Sequence, residues 1–160
     1  MSEPARRQYR ISLLNRSGRE LSEVPFLIRH PIPGDRDGLA ELMLDAYLGT
    51  IDYAGEGIEE ARAEVEDYLA NDPRLDSSWV VEDGDRFLAA ILLSTMEDEP
   101  LVGYVMTRAS AKGHGLAAGL LEKSLRSLQD QGWASVGAFI TPGNTASERL
   151  FARAGASLVD

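Results

Sequence analysis

The chain has 160 residues, 44% hydrophobic and 26% charged, the size and balance of one globular domain able to bury a sizeable core. A formal net charge of −10 weighs against nucleic-acid binding, which relies on Lys and Arg to neutralise phosphates, and would suit a cationic partner such as an amine. With no cysteine, disulfides and thiolate catalysis are excluded, and the two imidazoles, His30 and His114, are too few for a zinc pattern, so no metal is expected.

The first residues, MSEPARRQYR, carry charge but no apolar centre, unlike a secretory leader, and no apolar run is long enough to span a membrane. A cytoplasmic location is the expectation. Between residues 9 and 24, Ile11 and Leu13 alternate with Ser12, a turn follows at Asn15-Arg16-Ser17-Gly18, and Leu21 returns, which predicts a β-hairpin. Phe26-Leu27-Ile28-Arg29-His30 reads as the first core strand, stopped by Pro31 and Pro33. Asp35 and Asp37 open a helix whose apolar stripe is Leu39, Leu42, Met43, Ala46 and Tyr47.

That helix ends near Gly49, and a loop rich in glycine, acid and aromatic residues runs to Gly57. A second helix follows, with Ile58, Ala61, Val65 and Leu69 on one face. Glu59, Glu60, Glu64, Glu66 and Asp67 lie largely opposite and read as a solvated face. Asn71-Asp72-Pro73 terminates it. Residues 78–81 and 86–94 predict two strands joined by a tight turn at Glu82-Asp83-Gly84-Asp85. A further loop, 95–100, leads into an apolar strand, 101–107.

Immediately after that strand come Lys112, Gly113, His114 and Gly115, and then Ala117, Leu121, Leu125 and Leu128 at helical spacing. A glycine loop opening a helix offers unpaired N–H groups and the positive end of the helix dipole, an anion site suited to phosphate. By itself the glycine pattern serves a tight turn equally well. A Rossmann reading fails because that loop follows a first strand and needs a long continuation, whereas 45 residues follow Gly115. A nucleotide-binding P-loop fails because Lys112 precedes the glycines. Gln131-Gly132 ends the helix, 134–140 predicts a fifth core strand, Thr141-Pro142-Gly143 breaks it, and a helix from Asn144 to Ala154 closes at Gly155.

Lys112-Gly113-His114-Gly115-Leu116-Ala117 resembles the acetyl-CoA pyrophosphate loop, [QR]-x-x-G-x-[GA], of the GCN5-related N-acetyltransferase (GNAT) superfamily, with lysine for Gln or Arg. Asn144-Thr145-Ala146-Ser147-Glu148-Arg149-Leu150-Phe151, continuing to Gly155-Ala156, is similar to the family's later block. The resemblance runs from about residue 26 onward and is strongest after Leu101. It implies an α/β (α+β) fold with a mixed, mostly antiparallel sheet and about four flanking helices in a single domain, 1–160, with 1–24 as an extension on the core 25–160. Relatives continue through two antiparallel strands after the glycine, so the C-terminal strand reads as missing. Either the N-terminal hairpin or a second copy would then have to cover the sheet edge, and a homodimer is the expectation.

The resemblance also implies function: transfer of an acetyl group from acetyl-CoA to a primary amine of a small molecule or a protein. The alternative is a catalytically weak module that binds CoA or another ligand in a regulatory role. Residues implied to hold acetyl-CoA are Val105, Met106 and Thr107 along the strand, Lys112 to Ala117 in the loop, and Asn144 and Phe151 in the later block. Phe151 stands where many relatives carry a tyrosine that protonates the departing thiolate, and a phenyl ring has no proton to donate. Tyr104 is the candidate acid in its place, and Glu97 and Glu99 are candidate bases near the upstream end of the strand. Tyr47, Asp52, Tyr53 and Glu56 are candidates for amine recognition, since relatives commonly wall the acceptor pocket with this region.

Overall fold

A computed structural model of the chain describes residues 6–17, 26–50 and 53–159. Among the described residues the strands are β1 (Arg7–Ser12), β2 (Leu27–Arg29), β3 (Trp79–Asp83), β4 (Arg86–Met96), β5 (Glu99–Thr107), β6 (Ser135–Ile140) and β7 (Ser157–Leu158). The helices are α1 (Arg36–Tyr47), α2 (Ile58–Ala70), α3 (Leu116–Asp130) and α4 (Thr145–Arg153). One sheet takes the order β2-β3-β4-β5-β6-β1-β7, antiparallel throughout except at the parallel β5–β6 junction. This is the mixed, mostly antiparallel sheet with four flanking helices that the sequence implied.

Two apolar layers sandwich the sheet. On one face α3 and α4 bury Leu120, Leu121, Leu125, Leu128 and Phe151 against Ile91, Leu93, Val102, Val136 and Ala138. On the other, α1 and α2 bury Leu39, Leu42, Val65 and Tyr68 against Ala90, Leu92 and Met106. β4 is covered on both faces, which explains its almost uninterrupted apolar run, Phe87 to Leu93.

Two expectations are corrected here. The predicted loop 95–100 is a two-residue turn: Glu97 and Asp98 both take left-handed backbone, φ 53° and 66°, and Met96 pairs with Glu99. At the other end of the sheet, the edge of β6 is covered within the chain. β1 pairs antiparallel with β6 from Arg7↔Ile140 to Ser12↔Ser135, and the two-residue β7, the one short strand after Gly155, pairs with β1. The expected return arm of the N-terminal hairpin, 18–25, lies outside the described residues, and β1 finds its partner in β6.

Crossing to the far side of its own sheet had looked awkward for the N-terminus, but the segment after β1 is strapped to the α3 layer. Leu13 N–H donates to the Ala134 carbonyl at 2.8 Å, and Gln129 Nε2 donates to the carbonyls of Leu13 and Arg16, each at 3.0 Å. The Arg16 guanidinium donates to the Ala154 carbonyl at 2.6 Å and pairs with Glu122. These bonds, with buried Ile11 and Leu13, hold β1 in place without a second copy, so sheet completion no longer argues for a dimer.

Candidate active site

β5 and β6 are paired only at Leu101↔Gly137 and Val102↔Ala138, although β5 continues to Thr107 and β6 to Ile140. The parting begins at a bulge. Leu93 faces Val102 and Leu92 faces Tyr104, so β5 carries one extra residue, Gly103, against β4. Such an insertion bends and twists the strand that bears it. Beyond it, the side of β5 turned away from β4 has no strand partner among the described residues, leaving a row of backbone donors and acceptors open to a ligand.

The bulge also decides which way Tyr104 faces. With strict alternation Tyr104 would share the α3 face with Val102; the extra residue turns it to the α1–α2 face instead. A Cβ at position 103 would lie 3.3 Å from the Leu92 carbonyl oxygen, which makes glycine the residue that fits there with least adjustment.

β5 then leads into the loop before α3. Gly113 and Gly115 have φ of 85° and 77°, a conformation that a side chain disfavours, and a Cβ at either position would meet no protein atom. The positive φ is the conformational cause of the glycines, and open space lies in front of them. Gly115 caps α3 without a side-chain bond, and the first helical bond runs from Gly119 N–H to the Gly115 carbonyl at 3.0 Å. The amides of Leu116, Ala117 and Ala118 therefore have no partner within the helix and sit at the positive end of its dipole. Leu116 and Leu120 are buried, fixing the direction in which these amides point.

The C-terminal half of α1 holds this loop. Arg108, 4% exposed, gives both terminal guanidinium nitrogens to the Glu41 carboxylate and its Nε to the Phe87 carbonyl at 2.9 Å. Asp45 accepts from the Ala109 N–H at 2.7 Å and lies 3.6 Å from Arg108. Lys112 Nζ donates one of its three N–H bonds to the Ala46 carbonyl at 3.3 Å, at the C-terminal end of α1. His114 turns Nδ1 to the Ala111 carbonyl at 3.1 Å. Glu41, Asp45 and Arg108 were not among the sequence candidates.

Of the other candidates on the donor side, Met106 is buried in the α1–α2 layer, Val105 packs on the α3 layer, and Thr107 is half-buried, so these positions offer the split mainly backbone. Asn144 caps α4, accepting from the Ser147 N–H at 3.2 Å. Phe151 is 4% exposed inside the α3–α4 core, where it acts as an apolar anchor.

On the opposite face, the Tyr104 hydroxyl donates to Glu64 Oε1 at 2.6 Å, and its ring meets Tyr68 edge-on at 6.0 Å between centroids. Burial, reinforced by the bond and charge of Glu64 and by the nearby Tyr47 phenol, pushes the Tyr104 phenol far above the ordinary tyrosine value, with Arg6 opposing. Tyr104 therefore stays protonated, its hydroxyl proton directed to Glu64. The Tyr68 hydroxyl donates to the Leu93 carbonyl at 2.7 Å, and burial pushes it up to about 12.

Tyr47, the last residue of α1, packs on the same layer as Tyr104, which brings one sequence candidate for the acceptor pocket beside another for catalysis. Glu56 accepts from the Ala54 N–H at 2.9 Å within its own loop, and Tyr53 N–H donates to the Thr50 carbonyl at 3.2 Å. Asp52 lies outside the described residues. Glu97 and Glu99 are exposed at the hairpin tip; Glu99 is four strand residues, about 13 Å, short of Gly103. They do not join the cluster at the split. Glu64 does: exposed, as the sequence reading had it, it borders the buried stripe of Ala61, Val65 and Tyr68 at i+3 from Ala61 and accepts from Tyr104.

Among the described residues, no cluster of His, Cys, Asp or Glu is placed to hold a metal, and no helix is long and apolar enough to cross a membrane. A family model described as acetyltransferase (GNAT) domain matches residues 26–157. Among solved structures, the chain is similar to a GCN5-related N-acetyltransferase from Sphaerobacter thermophilus, with TM-score 0.74 and 18% identity over 98% of this chain; it spans 50% of that protein's length. It is similar to the PaiA N-acetyltransferase of Thermoplasma acidophilum in complex with coenzyme A, TM-score 0.64 and 14% identity over 81% of this chain and 88% of that one. The ribosomal-protein-S18-alanine N-acetyltransferase of Escherichia coli is similar at TM-score 0.64 and 15% identity, over 81% and 76%. No curated protein matches the sequence. The structural likenesses, at such identities, speak for the fold; the family model spans most of the chain, and with the split sheet and the glycine-capped helix it shows that this chain belongs to the GNAT acetyltransferase family.

Proposed function

We propose that the chain transfers an acetyl group from acetyl-CoA to a primary amine of a small molecule or a protein. One observation carries the reading: the unpaired side of β5 beyond Gly103 runs directly into the bare N-terminus of α3, so a strand-like arm and an anionic group can be bound in line. The positive-φ glycines, with open space where a Cβ would be, fit a pyrophosphate against backbone amides. The backbone of Gly113, Gly115, Leu116 and Ala117 would hold it, with the Lys112 ammonium, which keeps two further N–H donors beside the one given to Ala46, supplying positive charge. Backbone of Val105 and Thr107 would pair with the pantetheine arm. That arm spans about 15 Å, four or five strand residues, and so ends near the bulge at Gly103.

Acetyl-CoA supplies the activated acyl group. The protein's part is to hold the thioester at the bulge, to offer a β5 N–H to the oxyanion as the amine attacks, and to admit the amine from the α1–α2 side, where Tyr47, Tyr104 and Glu64 meet. Two similar structures, from Thermoplasma acidophilum and Brucella melitensis, were solved with coenzyme A and acetyl-CoA, which supports the donor. The test is a panel of small amines and peptide N-termini with acetyl-CoA, following release of free thiol. Amine-dependent release is expected; acetyl-CoA binding with no release for any amine would instead fit a silent ligand-binding module.

A further inference from the structure

The Tyr104–Glu64 pair is bonded on the α1–α2 side of β5, beside the parting of β5 and β6. We infer that Glu64 is the catalytic base that takes the proton from the acceptor ammonium, and that Tyr104 is the positioning residue that holds its carboxylate at the split. The inference deepens the acetyl-transfer reading and rests on it.

The placement follows from two independent features. The bulge at Gly103 turns Tyr104 to the α1–α2 face two positions past Val102, the last residue of β5 paired to β6. The helical stripe of α2, anchored by buried Ala61, Val65 and Tyr68, brings Glu64 to the same point. Tyr104 donates to Oε1 alone, at 2.6 Å, which leaves Oε2 for a second partner. The other carboxylates considered as bases do not compete: Glu97 and Glu99 stand at the far end of the hairpin. The charged and titratable groups about the pair are Tyr47 at the end of α1, Tyr68 on α2 and Arg6 just before β1.

The step balances as follows. One proton of the ammonium passes to the Glu64 carboxylate, directly or through one water, freeing the nitrogen lone pair. That pair forms the C–N bond to the thioester carbon. The C–S bond then breaks with its electrons on sulfur, the proton shed by nitrogen on collapse ends on the thiolate, and the proton on Glu64 returns to water.

Glu64 is exposed, so Glu64→Gln should fold normally. With any amine that the wild type acetylates, it should lower kcat about 100-fold at neutral pH while calorimetry gives acetyl-CoA affinity within about twofold of wild type. The deficit should shrink as pH rises toward the amine's own pKa, where neutral amine forms without a base, and Glu64→Asp should restore part of the rate. Tyr104→Phe should cost about tenfold in kcat, again with acetyl-CoA affinity kept. A Glu64→Gln rate within about threefold of wild type, or a deficit that stays constant with pH, overturns the assignment. A wild type that binds acetyl-CoA but releases thiol with no amine overturns the parent reading, and this one with it.

Discussion

Replacing Glu41 by glutamine tests whether the buried Arg108 holds the glycine loop as the geometry indicates. Arg108 is 4% exposed and relies on Glu41 for two bonds, on the Phe87 carbonyl for one, and on Asp45 at 3.6 Å for further charge. Breaking a fully buried pair costs about 3–5 kcal/mol, and a single bond to a charged group contributes about 1.5–3 kcal/mol. The Glu41 side chain is 53% exposed, glutamine keeps one acceptor, and Asp45 remains, so solvent screening and these compensations reduce the expected loss to about 1–2 kcal/mol. The sign with pH follows from the carboxyl: the hydrogen bond from Arg108, against the opposing effect of burial, holds Glu41 below its ordinary 4.5. A carboxyl lowered in the folded state adds stability that is present above its unfolded pKa and is lost as pH falls through the folded one. Urea midpoints of wild type and Glu41→Gln should therefore differ by a constant interval near neutrality and converge once pH drops below 4.5. A difference below about 0.5 kcal/mol at pH 7, or one unchanged on acidification, would refute the reasoning.

The other predictions concern the loop, the core and the added strand. Gly115→Ala forces a side chain to φ 77° and should lower stability by about 1 kcal/mol, with acetyl-CoA affinity, read by calorimetry, falling at least about tenfold through the displaced amides. Valine there would add β-branched strain and confound the two effects. Phe151→Tyr places a hydroxyl in the apolar α3–α4 core and should cost about 1–3 kcal/mol in thermal unfolding without raising turnover; a faster variant of unchanged stability would show that the ring reaches the sulfur. Removing residues 1–17 strips β6 of its antiparallel partner and uncovers the surface under Ile11 and Leu13, so the shortened chain should unfold or self-associate in light scattering. A stable monomer would defeat that expectation.

Local pattern was enough for the elements whose own residues carry the signal. The stripe from Leu39 to Tyr47, the run from Phe87 to Leu93, the spacing of Leu121, Leu125 and Leu128, and the glycines before α3 each encode a period or a conformational demand within a few residues. The start of α3 belongs to this group, because a helix start with no side chain capping it is a local feature. Register and long-range pairing decided the rest. Nothing near Tyr9 says that its strand will lie against β6, since that choice depends on Gln129, Ala134 and Glu122 strapping the segment after it. Whether Tyr104 faces α3 or α2 turns on one extra residue at Gly103, and a slip of one reverses every side chain beyond it. Phe151 was recognisable by position in a motif, yet only packing showed it enclosed in the core. Glu64 lay among five acids of one helix, and what distinguishes it is a hydroxyl 40 residues away, brought within 2.6 Å by the folding of the whole sheet.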